Sequence, residues 1–315
     1  MQKDAKIYIE QTILPPIAKE YPKMASEMSI QVRGSYALGV TDQFSDLEAI
    51  IWLDDPLWKT HGGQVQLMLQ RWEQQHGRFA PAKYGHPEIC VWSSSRLGSL
   101  TEFLETRADL PWEKVGIEEF YELQESLIIR DPHNVFHRLR EATAPERTPD
   151  WLWKKLLISK LNKLEDDIQD FKTEVARSKM IESHIILGSL LEDLLLIGFI
   201  TNRKYYPYRK HLQWAFARLP ALASEVLPHI QAIASSADWT EKLASIEATK
   251  DTYSDYIMER SILTPEIMGD LVWAERFEAW SNPHWRDRLN RGEQKTKEAG
   301  YDSSYGWIWH WWDWI

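Results

Sequence analysis

The 315-residue chain has one cysteine, Cys90. No intrachain disulfide can form, which excludes a disulfide-stapled scaffold. Long apolar runs are missing too. The longest, from Ile185 to Ile200, is interrupted by Glu192 and Asp193 and falls short of the roughly 20 residues a membrane span needs. Met1 to Met24 alternates charged with apolar residues and shows no signal-peptide core. The expected compartment is the cytoplasm, with no membrane partner. A basic excess is absent as well, since 37 Lys and Arg face 47 Asp and Glu for a net charge of −10. Residues 1–149 hold 16 basic and 22 acidic side chains, leaving 21 and 25 for the remainder, so neither half carries a basic arm. Phosphate contacts supply most of the affinity of a nucleic-acid binder, and no nucleic-acid partner is expected here. There is no Walker A sequence, no GxGxxG and no GxSxG elbow, so kinase, dinucleotide and hydrolase readings lose their usual support. No solenoid repeat is present.

What is present is an ordinary globular balance of 43% apolar and 27% charged residues. The length predicts about two domains. Ser29 to Val32, Leu47 to Leu53 and Glu88 to Trp92 read as strands, and Gln64 to Gln75 as a helix. Ile7, Ile9, Ile13 and Ile17 give Lys3 to Met24 a rough helical spacing, with a bend or break at Pro15–Pro16. Thr143 to Asp150 is turn-rich and reads as a linker. Beyond it the periodicity is helical, over about 151–177, 180–200, 208–219, 221–235, 238–259 and 264–281. The fold class is therefore α+β: a small mixed-sheet domain over 1–145, then an all-helical domain over 150–315 that ends in a Trp-rich tail.

The segment that carries chemistry runs Arg33-Gly34-Ser35-Tyr36-Ala37-Leu38-Gly39, then Ser45-Asp46-Leu47-Glu48. If the acid-x-acid pair opens a strand, Asp46 and Glu48 share one face, because strand side chains alternate. Adjacent carboxylates repel unless a cation neutralises them. Oxygen ligands of this kind suit Mg²⁺, commonly held by one or two carboxylates plus substrate phosphates. A Gly-Ser turn lets backbone amides and a hydroxyl approach an anion closely.

This arrangement resembles the DNA-polymerase-β-like nucleotidyltransferase superfamily, whose signature is an apolar strand, Gly-Ser, a spacer, Asp-x-Asp or Asp-x-Glu, and a third acid on a later strand. Glu88 stands where the third acid belongs. The sequence is most similar to the antibiotic nucleotidyltransferase branch with its helical C-terminal domain. Ser126 to Pro132 resembles an apolar-then-Asp-Pro element of that branch, and Asn202 to Lys210 its tyrosine-and-lysine segment. The chain departs from most small-molecule members in carrying Glu48 in place of a second Asp, which moves that carboxylate about one methylene outward.

The resemblance implies that Asp46 and Glu48 hold one or two Mg²⁺ ions, while Gly34 and Ser35 hold the outer phosphates of a nucleoside triphosphate, with ATP as the expected donor. Glu88 becomes either a further metal ligand or the general base. Tyr205 and Lys210 become nucleotide contacts, with Lys210 pairing the leaving pyrophosphate. Glu182, Glu192 and Asp193 become candidates for binding a cationic small-molecule acceptor such as an aminoglycoside. The implied reaction moves a nucleoside monophosphate onto a hydroxyl. Two alternatives stand beside it: transfer onto a protein side chain, as in antitoxin-like members, and nucleotide binding without turnover.

Three other features have simpler readings. His133 and His137 lie one helical turn apart without a third ligand nearby, and Cys90 reads as a strand residue. The tail from Gly306 to Ile315 holds five Trp residues. It is expected to be covered, against the helical domain or in a homodimer, because such a run exposed is adhesive.

Overall fold

The computed structural model describes residues 2–79, 88–98, 100, 103, 110, 112 and 115–263. The predicted 264–281 helix and the Trp-rich tail lie outside them. The chain divides into two compact units, Met1–Arg147 and Thr148–Ile315.

The first unit is α+β. Its helices are α1 (Gln2–Tyr8), α2 (Leu14–Glu20), α3 (Pro22–Glu27), α4 (Gly34–Leu38), α5 (Asp55–Leu57), α6 (Gly63–His76), α7 (Ile117–Glu125) and α8 (Val135–Ala142). Its strands are β1 (Ser29–Arg33), β2 (Glu48–Leu53), β3 (Ile89–Ser93) and β4 (Leu127–Arg130), in the order β3-β2-β1-β4. The β1–β2 and β1–β4 pairs are antiparallel, and β2–β3 is parallel.

Ala5, Ile9, Ile13 and Ile17 are all buried and pack with Ile30, Val32, Ala49 and Ile51 of the sheet. Burying each isoleucine stabilises the fold by about 1.5–3 kcal/mol. A strict spacing of four drifts by roughly 40° per step around an α-helix. The π-helical turn at Ile9–Ile13, between α1 and α2, widens the ladder and takes up part of that drift. Pro15 and Pro16 follow that turn in an unbroken helical stretch, since Ile13 and Leu14 keep right-handed helical backbone, so the two N–H groups they lack are missing from a continuing ladder. The irregularity expected at the prolines is the π-helical turn just before them. Within the sheet, Gln31 joins a buried polar chain: Trp52 Nε1 donates to its Oε1 at 3.2 Å, and its Nε2 donates to Ser126 Oγ at 2.7 Å.

The second unit is helical: α9 (Asp150–Ala176), α10 (Met180–Thr201), α11 (Leu212–Phe216), α12 (Ala223–Ser235) and α13 (Trp239–Glu259). By length and composition α10 is apolar enough to cross a membrane, yet 61% of its most apolar stretch is buried inside the protein. Its one deeply buried charge, Asp193, is 2% exposed and paired with Lys160 at 2.8 Å and Lys163 at 2.6 Å, both on α9. Gly198 lets α10 approach its neighbours: a Cβ there would lie 2.3 Å from Phe216 and 2.9 Å from the Tyr253 hydroxyl. That hydroxyl donates to the Leu194 carbonyl at 2.6 Å.

Candidate active site

Strand direction gathers the motif. β1 closes at Arg33, whose cross-strand partner is Glu48, the first residue of antiparallel β2. The chain then turns through Gly34, at φ +63°, into α4. Gly39, at φ +73°, caps α4, with the Gly39 and Val40 amides both donating to the Ser35 carbonyl. β3 runs parallel to β2 from the pair Ala49–Ile89, and the Ala49 amide donates to the Glu88 carbonyl at 3.0 Å. Gly34, Ser35, Glu48 and Glu88 therefore meet at one end of the sheet.

Gly34 has a specific neighbour. A Cβ at this position would lie 2.3 Å from Glu48 Oε2 and 3.0 Å from its Cδ. The space that a glycine leaves beside the turn is taken here by a carboxylate.

One expectation requires correction. Asp46 does not open the strand with Glu48, because β2 begins at Glu48 itself. The strand that would pair with residues 46 and 47 has already turned into α4, so the strand alternation does not reach Asp46. It sits in the preceding loop, 7% exposed, ahead of the fully buried Leu47. Glu88 likewise precedes its strand, which starts at Ile89.

Glu88 is 3% exposed. Its Oε2 accepts the Phe79 amide at 2.9 Å, and its Oε1 lies 3.7 Å from Arg78 Nε. Arg78 also lies 3.3 Å from Glu73. The Phe79 ring stacks on Tyr8 at 4.6 Å and tilts against Tyr36 at 5.6 Å. Burial pushes the Tyr8 phenol up to about 12, with Glu88 and Glu73 adding to the effect. Burial also raises Tyr36, helped by Glu88, Asp4 and Asp46. Glu88 and Asp46 thus act on the same phenol, one residue beyond Ser35. Tyr36 stands inside the segment Arg33 to Gly39 but is given no role there, and nothing local in the sequence marks Arg78, Phe79 or Tyr8. Those three reach the site only through the packing of α1 and the turn after α6.

Among the described residues, no three His, Cys, Asp or Glu side chains gather closely enough to hold a metal ion. Asp46, Glu48 and Glu88 therefore do not form a ready-made triad. Asp46 and Glu48 offer the carboxylate oxygens that could hold a cation such as Mg²⁺, which commonly takes one or two carboxylates with phosphate oxygens and water.

The remaining sequence-based candidates belong to the second unit. Tyr205 is 4% exposed, its hydroxyl is 2.5 Å from Thr148 Oγ1 and its ring is stacked on Trp153, so it is built into the helical core. Lys210 is exposed in a 3₁₀ turn, Arg209–His211. Glu192 accepts from Arg209 at 2.7 Å, and Glu182 is exposed in the first turn of α10. Asp193 is held by the two lysines of α9.

The family model described as "Domain of unknown function (DUF4037)" matches residues 112–214, a stretch running from just before α7 through most of α11. No curated protein matches the chain. Among solved structures, the chain is similar to a nucleotidyltransferase-like protein from Exiguobacterium sibiricum 255-15, at 12% identity and a TM-score of 0.38, over 78% of each chain.

Proposed function

We propose that this protein is a nucleotidyltransferase moving a nucleoside monophosphate from ATP onto a hydroxyl of a small molecule. The observation that carries the reading is the meeting of the Gly34–Ser35 turn, Glu48 and Glu88 at one end of a mixed sheet, with Asp46 in the adjoining loop. The motif alone demands residue types in order. Their arrival at one place is an independent condition.

In this reading Gly34 and Ser35 face the outer phosphates, and Asp46 and Glu48 hold Mg²⁺, which supplies charge neutralisation at the α-phosphorus. Glu88, held by Phe79, serves as the acceptor of the hydroxyl proton. The oxygen of the acceptor bonds to the α-phosphorus as the bond to the bridging oxygen breaks, and pyrophosphate leaves.

The test is pyrophosphate release from each of four nucleoside triphosphates with Mg²⁺ and a panel of hydroxyl-bearing antibiotics, with Asp46→Asn as control. Release that needs one nucleotide and one acceptor, and is lost in Asp46→Asn, supports the reading. Equal release by Asp46→Asn refutes it. Label from ATP appearing on protein would replace the small molecule by a protein acceptor.

A further inference from the structure

We propose that Arg33 is a phosphate-binding residue of this site, with Glu122 holding its guanidinium in place for the outer phosphates of the nucleotide. The inference rests on the nucleotidyltransferase reading above and adds to it a residue to which the motif gives no role.

Position comes first. Arg33 is the last residue of β1, directly before the Gly34 turn, and its cross-strand partner is Glu48. Opposite residues of an antiparallel pair project from the same face, with Cβ atoms about 4.5–5.5 Å apart. The preceding pair, Val32 and Ala49, is buried in the core, so alternation sends Arg33 and Glu48 to the other face. There the Glu48 carboxylate lies against Gly34. An anion seated on the Gly34–Ser35 turn is one residue from Arg33, inside the reach of so long a side chain.

Its pairing is the second point. Arg33 Nε donates to Glu122 Oε2 at 2.8 Å, a charge-assisted hydrogen bond, with 25% of the Arg33 side chain and 26% of the Glu122 side chain exposed. Among the described residues this is the one ion pair that Arg33 makes. Because the bond uses Nε, the terminal nitrogens stay open to a second partner, and none of them is left buried without one. A partly exposed pair adds little to stability, since solvent screens it. What it supplies is orientation. A guanidinium fixed at Nε presents its outer edge as a planar fork that matches phosphate oxygens in pairs.

The supports of the pair are rigid. Glu122 is carried by α7, which is anchored through buried Phe120, Tyr121 and Leu123, and Arg33 is carried by the sheet. Little side-chain freedom therefore remains to be lost when a phosphate binds. In the free chain the Glu122 charge offsets that of Arg33, so a polyanion meets a weaker cation than arginine alone.

The test is calorimetric titration of the full chain with ATP plus Mg²⁺, and with inorganic tripolyphosphate in EDTA. Arg33→Gln should weaken both by about tenfold or more, and Arg33→Lys, a point charge in place of the fork, should recover part of the loss. Glu122→Gln still accepts from Nε and removes the opposing charge, so it should bind tripolyphosphate at least as tightly as the wild type. A pair that only braced the fold would lose affinity from either side. Lys23→Gln removes the same charge from α3, which leads into the far end of β1, and should leave both affinities unchanged. Unchanged binding by folded Arg33→Gln overturns the proposal, as does an equal loss in Glu122→Gln or in Lys23→Gln. Thermal melts identify variants that fail to fold. If Arg33→Gln is among them, Arg33→Lys decides alone: a several-fold loss supports the proposal and wild-type affinity overturns it. Unfolding of both Arg33 variants also overturns it, because the residue is then structural. If the wild-type chain binds ATP and Arg33→Gln binds it equally, only this proposal fails. If the wild-type chain binds neither ligand, the functional reading fails with it.

Discussion

The Glu48 carboxylate occupies the space beside Gly34 in which a side-chain carbon would sit, 2.3 Å from the position of its Cβ. Gly34 is also at φ +63°, a conformation that costs an L-residue roughly 1–2 kcal/mol. Two demands for glycine coincide at one residue: one is conformational, the other is room for an acid.

Gly34→Ala separates them. The carboxylate ends a flexible side chain and can shift, so the stability cost should be only about 1–2 kcal/mol, from the backbone. Binding of Mg²⁺–ATP should fall further than stability does, because Glu48 must leave its place. Urea denaturation beside calorimetry checks this. If the nucleotide affinity is unchanged, Glu48 has no need of that position.

Gly198→Ala tests the helical unit. In an open helix the change would stabilise by about 1 kcal/mol. Here the added carbon meets Phe216 at 2.3 Å and the Tyr253 hydroxyl at 2.9 Å. Overpacking typically costs about 1–3 kcal/mol, so the variant should unfold at lower urea. A gain in stability would show that the helices separate freely.

Lys163 predicts an alkaline limb. Burial lowers its pKa, but hydrogen bonds to Asp167 and Asp193 outweigh that and hold it above the ordinary lysine value. A raised folded pKa means a stabilising contribution that is complete below the unfolded pKa and lost as pH rises through the folded one. Lys163→Met should therefore be less stable at neutral pH. Its stability should also decline less than that of the wild type above about pH 10.4, the ordinary lysine value. Parallel wild-type and variant melting curves from pH 8 to 11 would refute this.

Gln31 is the last case. Gln31→Ala takes the buried acceptor from the Trp52 indole N–H, a loss that costs about 1–3 kcal/mol, while the Ser126 hydroxyl keeps Arg140 at 3.4 Å and the Leu123 carbonyl at 3.5 Å. A melting temperature unchanged from wild type would mean that the indole finds another partner.

The legible parts of the sequence were those written in local periodicity. The stretches read as helices at 151–177, 180–200 and 238–259 correspond to Asp150–Ala176, Met180–Thr201 and Trp239–Glu259, each long enough for its apolar stripe to repeat. β2 and β3 were legible from their runs of β-branched and aromatic residues. β4 was not read as a strand, since Leu127–Arg130 is four residues long and its pairing with β1 is decided by distant sequence. The same limit applies at the site. Gly34, Glu48 and Glu88 carry a motif, but Arg78 and Phe79 come to Glu88 across a turn. Asp193 is a candidate for binding a cationic acceptor on the sequence, and its pairing with Lys160 and Lys163 has no local signal because both lysines belong to another helix.

The sheet order has a consequence for how the chain is made. β1 lies between β2, which follows it closely, and β4, whose Arg130 pairs with Ile30 after 100 intervening steps along the chain. During synthesis the β1–β2 pair can form early, while the other edge of β1 waits until residue 130 has emerged. For that interval one edge of Ser29–Arg33, a strand buried in the folded unit, carries unpaired amides and carbonyls, the condition that favours pairing with a second chain. Fragments ending before β4 should therefore aggregate, and the short strand Leu127–Arg130 acts as the closing piece that makes the nascent unit safe.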